Sequence, residues 1–360
     1  MRTTGGSRCW RGGSQFSFLR IRRHCRSVLT HFPSSFEAHT LSGMRRLFVF
    51  LALLLSMSMQ AQESADVHRF DYAAHAPLDI KEAGLEHRGK VTIHDISYPS
   101  PRGGRVPAYL VVPEGKGPFA AIVWGHWYWA TSEFANRKEF LEEAVALAPA
   151  GVVSLLTTGP IGRPGYEQPK SPFTDESAAY MEQQVIDMRR GADLLLARKD
   201  VDAKRLAYVG HSYNASVGGI LSGIEKRFRA YVLMAGGLSF EVDRKTKPYQ
   251  DIRNRMGGEK FDAVLAKYAY LDPGKYVAHA APATVFLQYA AKENFLSPEV
   301  SRQYAELVSE PKMYKVYDGP HALNAAARKD RVQFLAEQLR LKKVPDNVGA
   351  NVPELPQPAQ

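Results

Sequence analysis

The sequence predicts an α/β fold built on a mostly parallel sheet with helices on both faces. Two observations carry this expectation: short apolar runs of strand length, and helix-length segments between most of them. The 360 residues, 45% apolar and 23% charged, have the composition of a globular protein rather than of a disordered, collagenous or multi-span membrane chain.

The leader reads as an address. Met44-Arg45-Arg46, the nine apolar residues Leu47 to Leu55 and a small-residue exit to Ala61 form the layout of a secretory signal peptide, residues 44–61. Nine apolar residues fall short of the roughly 20 that a membrane span needs. Residues 1–43 are either a leader of organelle-transit type or the product of a start assigned too early, with Met44 the true start. The expectation is a secreted or periplasmic protein with no stable membrane insertion.

Charge follows the same division. The net charge is +10, but residues 1–61 hold nine Arg, no Lys and one acid, Glu37, which leaves 38 basic and 36 acidic residues downstream. A body charge of +2 gives no basic surface for nucleic acid. Both cysteines, Cys9 and Cys25, lie in the leader, so the body offers no internal disulfide, zinc-thiolate site or thiol nucleophile.

The domain proper is expected over 62–343. Thr92 to Tyr98 and Val106 to Val112 are β-rich runs around a Pro- and Gly-containing turn, an antiparallel opening pair. The apolar strands Phe119 to Trp124, Val152 to Leu156, Leu206 to Val209, Ala230 to Met234, Thr284 to Tyr289 and Met313 to Tyr317 follow. Before Leu206, the residues Met181, Val185, Met188, Ala192 and Leu195 recur at three- and four-residue steps, the apolar stripe of a helix. Leu238 to Ala280 is a charged, helical insertion between two strands, a candidate lid. Residues 344–360, with four prolines, read as a loose tail.

The chemistry begins at Gly210-His211-Ser212-Tyr213-Asn214. These residues follow a strand directly and open a helix rich in small residues, the context in which a strained turn exposes a serine hydroxyl. The competing reading is an ordinary turn whose serine caps the helix. Asn214 stands where that pattern has Gly, a departure that either distorts the turn or brings an amide to the site. His321, in the loop after the last strand, has the chain position of a general base, although a polar helix start is the plainer alternative. His211, as the serine's neighbour, is expected to point away. Glu293, in the loop after Thr284 to Tyr289, is the leading acid, with Asp318 and Asp243 as rivals. An oxyanion needs two donors. The backbone N–H of Tyr213 is one, and that of Trp127, in Gly125-His126-Trp127-Tyr128-Trp129, is the expected second. His126, Trp127 and Trp129 are candidate substrate contacts, with core or loop packing the alternative for each. Gly159 to Gly165 is glycine-rich, but its prolines cannot donate to a phosphate and no Lys-Ser or Lys-Thr pair follows; it reads as a loop at the site rim. No paired-cysteine or His-Glu-x-x-His zinc pattern occurs.

Together the elbow, the strand-loop-Glu and Tyr317-Asp318-Gly319-Pro320-His321 resemble an α/β-hydrolase, specifically its dienelactone-hydrolase-like and acetyl-xylan-esterase-like branch, over Val106 to Leu341. The resemblance implies a Ser/Glu/His hydrolase of carboxylic esters without metal or cofactor, acting on a small-molecule ester, acylated carbohydrate included. A serine peptidase or amidase on the same fold, and a catalytically silent binding protein, are the alternatives.

Overall fold

The computed structural model describes residues 66–355 except 130–131, 168, 170–172, 238, 294–295, 343, 345–347, 349–351 and 353–354. The chain divides into compact units at 1–60 and 61–360. The leader and signal-peptide readings fall outside the described residues.

Nine strands form one mixed sheet. They are β1 (Lys81–Arg88), β2 (Val91–Pro99), β3 (Arg105–Pro113), β4 (Phe119–Gly125), β5 (Val152–Thr157), β6 (Val201–His211), β7 (Ala230–Met234), β8 (Thr284–Ala290) and β9 (Lys312–Tyr317). Their spatial order is β1-β2-β3-β5-β4-β6-β7-β8-β9. The pairings from β1 to β5 are antiparallel, and those from β5 through β4 to β9 are parallel. All the expected strands are present. β1 is an addition: its side chains are largely exposed and it pairs only with β2, so it lacks the apolar alternation that marks a half-buried strand.

The helices are α1 (Leu141–Leu147), α2 (Asp175–Leu196), α3 (Tyr213–Ile224), α4 (Phe240–Asp243), α5 (Lys247–Met256), α6 (Gly258–Lys267), α7 (Pro273–Val277), α8 (Pro298–Leu307) and α9 (Ala325–Gln338). Their starts follow from local chemistry. Thr174 accepts from the Ser177 N–H ahead of α2, whose first turn carries Asp175 and Glu176. Ser297 and Asn324 cap α8 and α9 in the same way. The insertion 238–280 forms α4 to α7.

Period-two alternation sends each central strand's side chains to two cores. Ala121, Val123, Leu155 and Tyr208 face one cluster, shared with Val185, Met188 and Ala192 of α2 and with Val217 and Ile220 of α3. Ile122, Trp124, Leu156 and Val209 face the other, shared with Ala144 of α1 and with Phe334 and Leu335 of α9. Burial of this kind on both faces is what the continuous apolar runs encode. Among the described tail residues, Val344 and Val348 pack against the second core, and Leu355 packs beside Trp127 and Ala322. Among the described residues no helix is long and apolar enough to cross a membrane.

Candidate active site

The parallel strands end in loops along one edge of the sheet, and these loops carry the candidate residues. β6 runs into α3 with almost no connection, so the chain must turn sharply at Ser212. Its backbone sits at φ 53° and ψ −112°, a positive φ that a serine adopts only when its surroundings impose it. The imposition is visible. The Ser212 N–H donates to the Met234 carbonyl at 2.7 Å, and a side chain at Gly210 would collide with the Asn214 carbonyl. No side-chain cap bond holds Ser212, so the capping alternative does not describe it.

The Ser212 Oγ lies 2.8 Å from His321 Nε2, and His321 Nδ1 lies 2.6 Å from Glu293 Oε2. The Glu293 side chain is 1% exposed and that of His321 10%, so both bonds are screened from water. Neither rival acid takes this place. Asp318 is 81% exposed and pairs with Lys292 at 2.9 Å, and Asp243 is buried in α4 beside Asp272. Because Glu293 accepts at Nδ1, the proton belongs there and Nε2 is left to face the serine hydroxyl.

Three sequence expectations need correction. Trp127 does not offer its N–H to an oxyanion: that group donates to Glu139 Oε2 at 2.5 Å. Nor does its ring form a substrate wall. It is fully buried, stacked on His211 at 5.3 Å and on His321 at 6.3 Å between centroids, and so it supports the site from behind. His126 is likewise no substrate contact. It is buried, its Nε2 accepts the Gly159 N–H at 2.9 Å, and its Nδ1 is 2.5 Å from the Trp127 carbonyl. These partners fix the tautomer with the proton on Nδ1, and burial pushes the imidazole pKa down, which keeps the ring neutral. Trp124 lies in the second core against Phe140, whereas Trp129 is half-buried beside Trp127, Ala135 and Ala322.

Asn214 resolves differently from either expectation. Its side chain turns away from Ser212, donating from Nδ2 to the His126 carbonyl at 2.6 Å and accepting at Oδ1 from Gln184 Nε2 at 2.9 Å. The space it needs comes from Gly125, where an added Cβ would sit 2.7 Å from Asn214 Cβ. The small residue that the turn requires has therefore moved from the helix to the facing strand end, and the amide secures the β4 loop.

Other side chains lie around the candidate site, some of them without a local signal in the sequence. Glu139, in the charged run Arg137 to Glu143, is buried against Trp127 and His211. Tyr128, Tyr166 and Tyr180 form edge-to-face contacts, with centroids 5.6 and 5.0 Å apart, in the region of the 159–165 loop. That loop is anchored by Arg163, which donates to Asp187 at 2.5 Å and to the Thr158 carbonyl at 3.1 Å. Burial raises the Asp187 pKa, and the Arg163 guanidinium opposes the rise. Among the described residues no group of three or more His, Cys, Asp or Glu is arranged to hold a metal ion.

No family model matches the chain, and no curated protein matches it at a significant level. Solved structures do. An acetyl xylan esterase from Paenibacillus sp. R4 superposes with a TM-score of 0.60 at 18% identity, over 77% of this chain and 92% of that one. Acetyl xylan esterase 1 from Thermoanaerobacterium sp. JW/SL YS485 gives 0.64 at 16%, over 78% and 94%. A glucuronoyl esterase from Solibacter usitatus gives 0.55 at 16%, over 77% and 91%. With these neighbours and the nine-stranded mixed sheet, the fold is that of the α/β hydrolases.

Proposed function

We propose that the chain is a serine hydrolase of carboxylic esters, with Ser212 the nucleophile, His321 the general base and Glu293 its orienting acid. The observation that carries this reading is the row Glu293, His321, Ser212, joined by bonds of 2.6 and 2.8 Å at a strained strand-to-helix turn. In the reaction Ser212 Oγ attacks the ester carbonyl while His321 Nε2 takes its proton. The imidazolium so formed is stabilised by the Glu293 carboxylate, then gives the proton to the leaving alcohol. Water, activated by the same histidine, releases the acid from the acyl-enzyme.

The oxyanion formed at each addition requires two N–H donors. Tyr213 N–H, first in α3, supplies one, and it has no hydrogen-bond partner among the described residues. We assign the second to Tyr128 in place of Trp127. The Trp127 carbonyl is held by His126, and in a planar trans peptide the next N–H points the opposite way. The Tyr128 N–H also has no hydrogen-bond partner among the described residues.

Two acetyl xylan esterases and a glucuronoyl esterase among the fold neighbours make acylated carbohydrate the first substrate class to examine. Half-buried Trp129 and the Tyr128, Tyr166 and Tyr180 group offer aromatic faces suited to a sugar ring. Export through the signal layout at 44–61 would place the protein where such polymers occur. A catalytically silent binder would call for Asn214 to disturb the turn, but its amide is occupied by His126 and Gln184.

The test is labelling of the 62–360 protein with a fluorophosphonate, located by peptide mass spectrometry, alongside hydrolysis of p-nitrophenyl acetate and acetylated xylooligosaccharides. Labelling at Ser212, with turnover lost in a folded Ser212→Ala protein, is the expected result. A folded wild-type protein that neither labels nor turns over any ester overturns the reading.

A further inference from the structure

Glu139 is an acid with no place in the reaction above, yet its side chain is wholly removed from solvent. Burying a carboxylate is unfavourable unless each oxygen finds a donor. Glu139 meets that condition with two partners from different parts of the chain. Oε2 accepts the Trp127 N–H at 2.5 Å, on the loop after β4, and Oε1 lies 2.6 Å from His211 Nδ1, at the end of β6. His211 continues the chain. Its side chain is also fully buried, and its Nε2 lies 3.0 Å from the backbone carbonyl of His321. A carbonyl only accepts, so His211 Nε2 carries a proton, and another proton lies in the bond between His211 Nδ1 and Glu139. The rings of Trp127, His211 and His321 stack on one another with centroids 5.3 to 6.3 Å apart.

We propose that Glu139 and His211 are a positioning pair that ties the oxyanion-side loop at Trp127 to the main chain of His321, holding the base and the Tyr128 donor in register. The proposal rests on the functional reading above and adds two residues to it. Each touches a neighbour of a reacting group rather than the reacting group itself. Their effect therefore falls on the chemical step and leaves substrate binding nearly unchanged.

Four single variants separate hydrogen bonding from charge and one end of the pair from the other. In Glu139→Gln, Oε1 accepts the Trp127 N–H, Nε2 donates to His211 Nδ1, and His211 Nε2–H still reaches His321, so every bond survives without the charge. In Glu139→Ala the Trp127 N–H and His211 Nδ1 both lose their partner. His211→Gln reaches the His321 carbonyl, whereas His211→Asn reaches Glu139 instead.

The expected result with p-nitrophenyl acetate is a kcat within about 5-fold of wild type for Glu139→Gln and a loss of roughly 10- to 100-fold for Glu139→Ala, the scale of an unpartnered buried group, with KM little changed. His211→Gln should exceed His211→Asn in kcat. Wild-type kcat in folded Glu139→Ala and His211→Asn, or a loss confined to KM, overturns the proposal. Amide hydrogen exchange keeps it testable without turnover: the Trp127 N–H should exchange at least about 10-fold faster in Glu139→Ala than in wild type. Unchanged exchange at Trp127 overturns the pairing even if the esterase reading stands. Faster exchange in a protein that fails to label at Ser212 supports the pairing while the esterase reading falls.

Discussion

Two buried acids, Glu139 at the site and Asp243 in the insertion, have met opposite fates. Glu139 finds a backbone N–H and a histidine, and its neighbours Asn214 and His126 also have partners for their polar atoms. Asp243, on α4, is 2% exposed, and its Oδ2 has no hydrogen-bond partner among the described residues. Burial first, and then the charge of Asp272, push its pKa up to about 7. Asp272 itself is raised to about 6 by burial, although the Gly274 and Phe240 N–H groups and Ser239 counter the rise. Burial costs both acids hydration. The difference is that at the site the cost is converted into fixed geometry, whereas in the insertion it remains as a dependence on pH.

If the site is held by its partners, removing one from the row nearest the chemistry should have the largest effect. Glu293→Gln leaves the shape of the row but deprives Nδ1 of an obligatory acceptor and the imidazolium of its counter-charge. We expect kcat to fall about 10³- to 10⁴-fold with KM nearly constant. A loss below 10-fold, measured by steady-state kinetics, would shift the acid's role to another group.

Asn214 sharpens the same comparison through stability. Asn214→Gly removes two buried hydrogen bonds and the atoms that fill the space over Gly125. The expected loss is about 2–4 kcal/mol in denaturant unfolding, with no gain in activity. Gly125→Ala places a methyl 2.7 Å from Asn214 and should destabilise as well. In the double variant the methyl occupies the vacated space, so the two losses should add to less than their sum. Strict additivity would mean that the two positions do not share that space.

This pair of residues also marks how far the sequence could be read. The strands of the parallel half are legible because they are buried on both faces and must be apolar throughout. The serine turn is legible because it places small residues at a strand-to-helix junction, and His321 and Glu293 follow from loop position after successive strands. β1 is not, since an exposed edge strand needs backbone pairing but no particular side chains. Neither is Glu139: its run from Arg137 to Glu143 has the composition of a solvated face, and only the tertiary fold brings it to Trp127 and His211. Trp127 and His126 were legible as site residues by position, but their roles depend on which way a peptide and a ring are turned, a matter of three-dimensional partners.

The insertion supplies the smallest effect and the cleanest contrast in sign. A carboxyl whose pKa is raised on folding holds its proton more tightly in the native state. Its protonated form leaves stability intact below the unfolded value of about 4, and stability is lost as pH rises through about 7. Asp243→Asn cannot ionise and should abolish this loss. A shift of about three units corresponds to at most roughly 4 kcal/mol, and we expect about half of that, on the order of 2 kcal/mol, at pH 8. At pH 4 the variant should match wild type or fall slightly below it, because both are then neutral. Urea unfolding at the two pH values decides the matter. A gain that is equal at both would trace the effect to packing, and would remove the contrast between an acid the fold uses and one it merely tolerates.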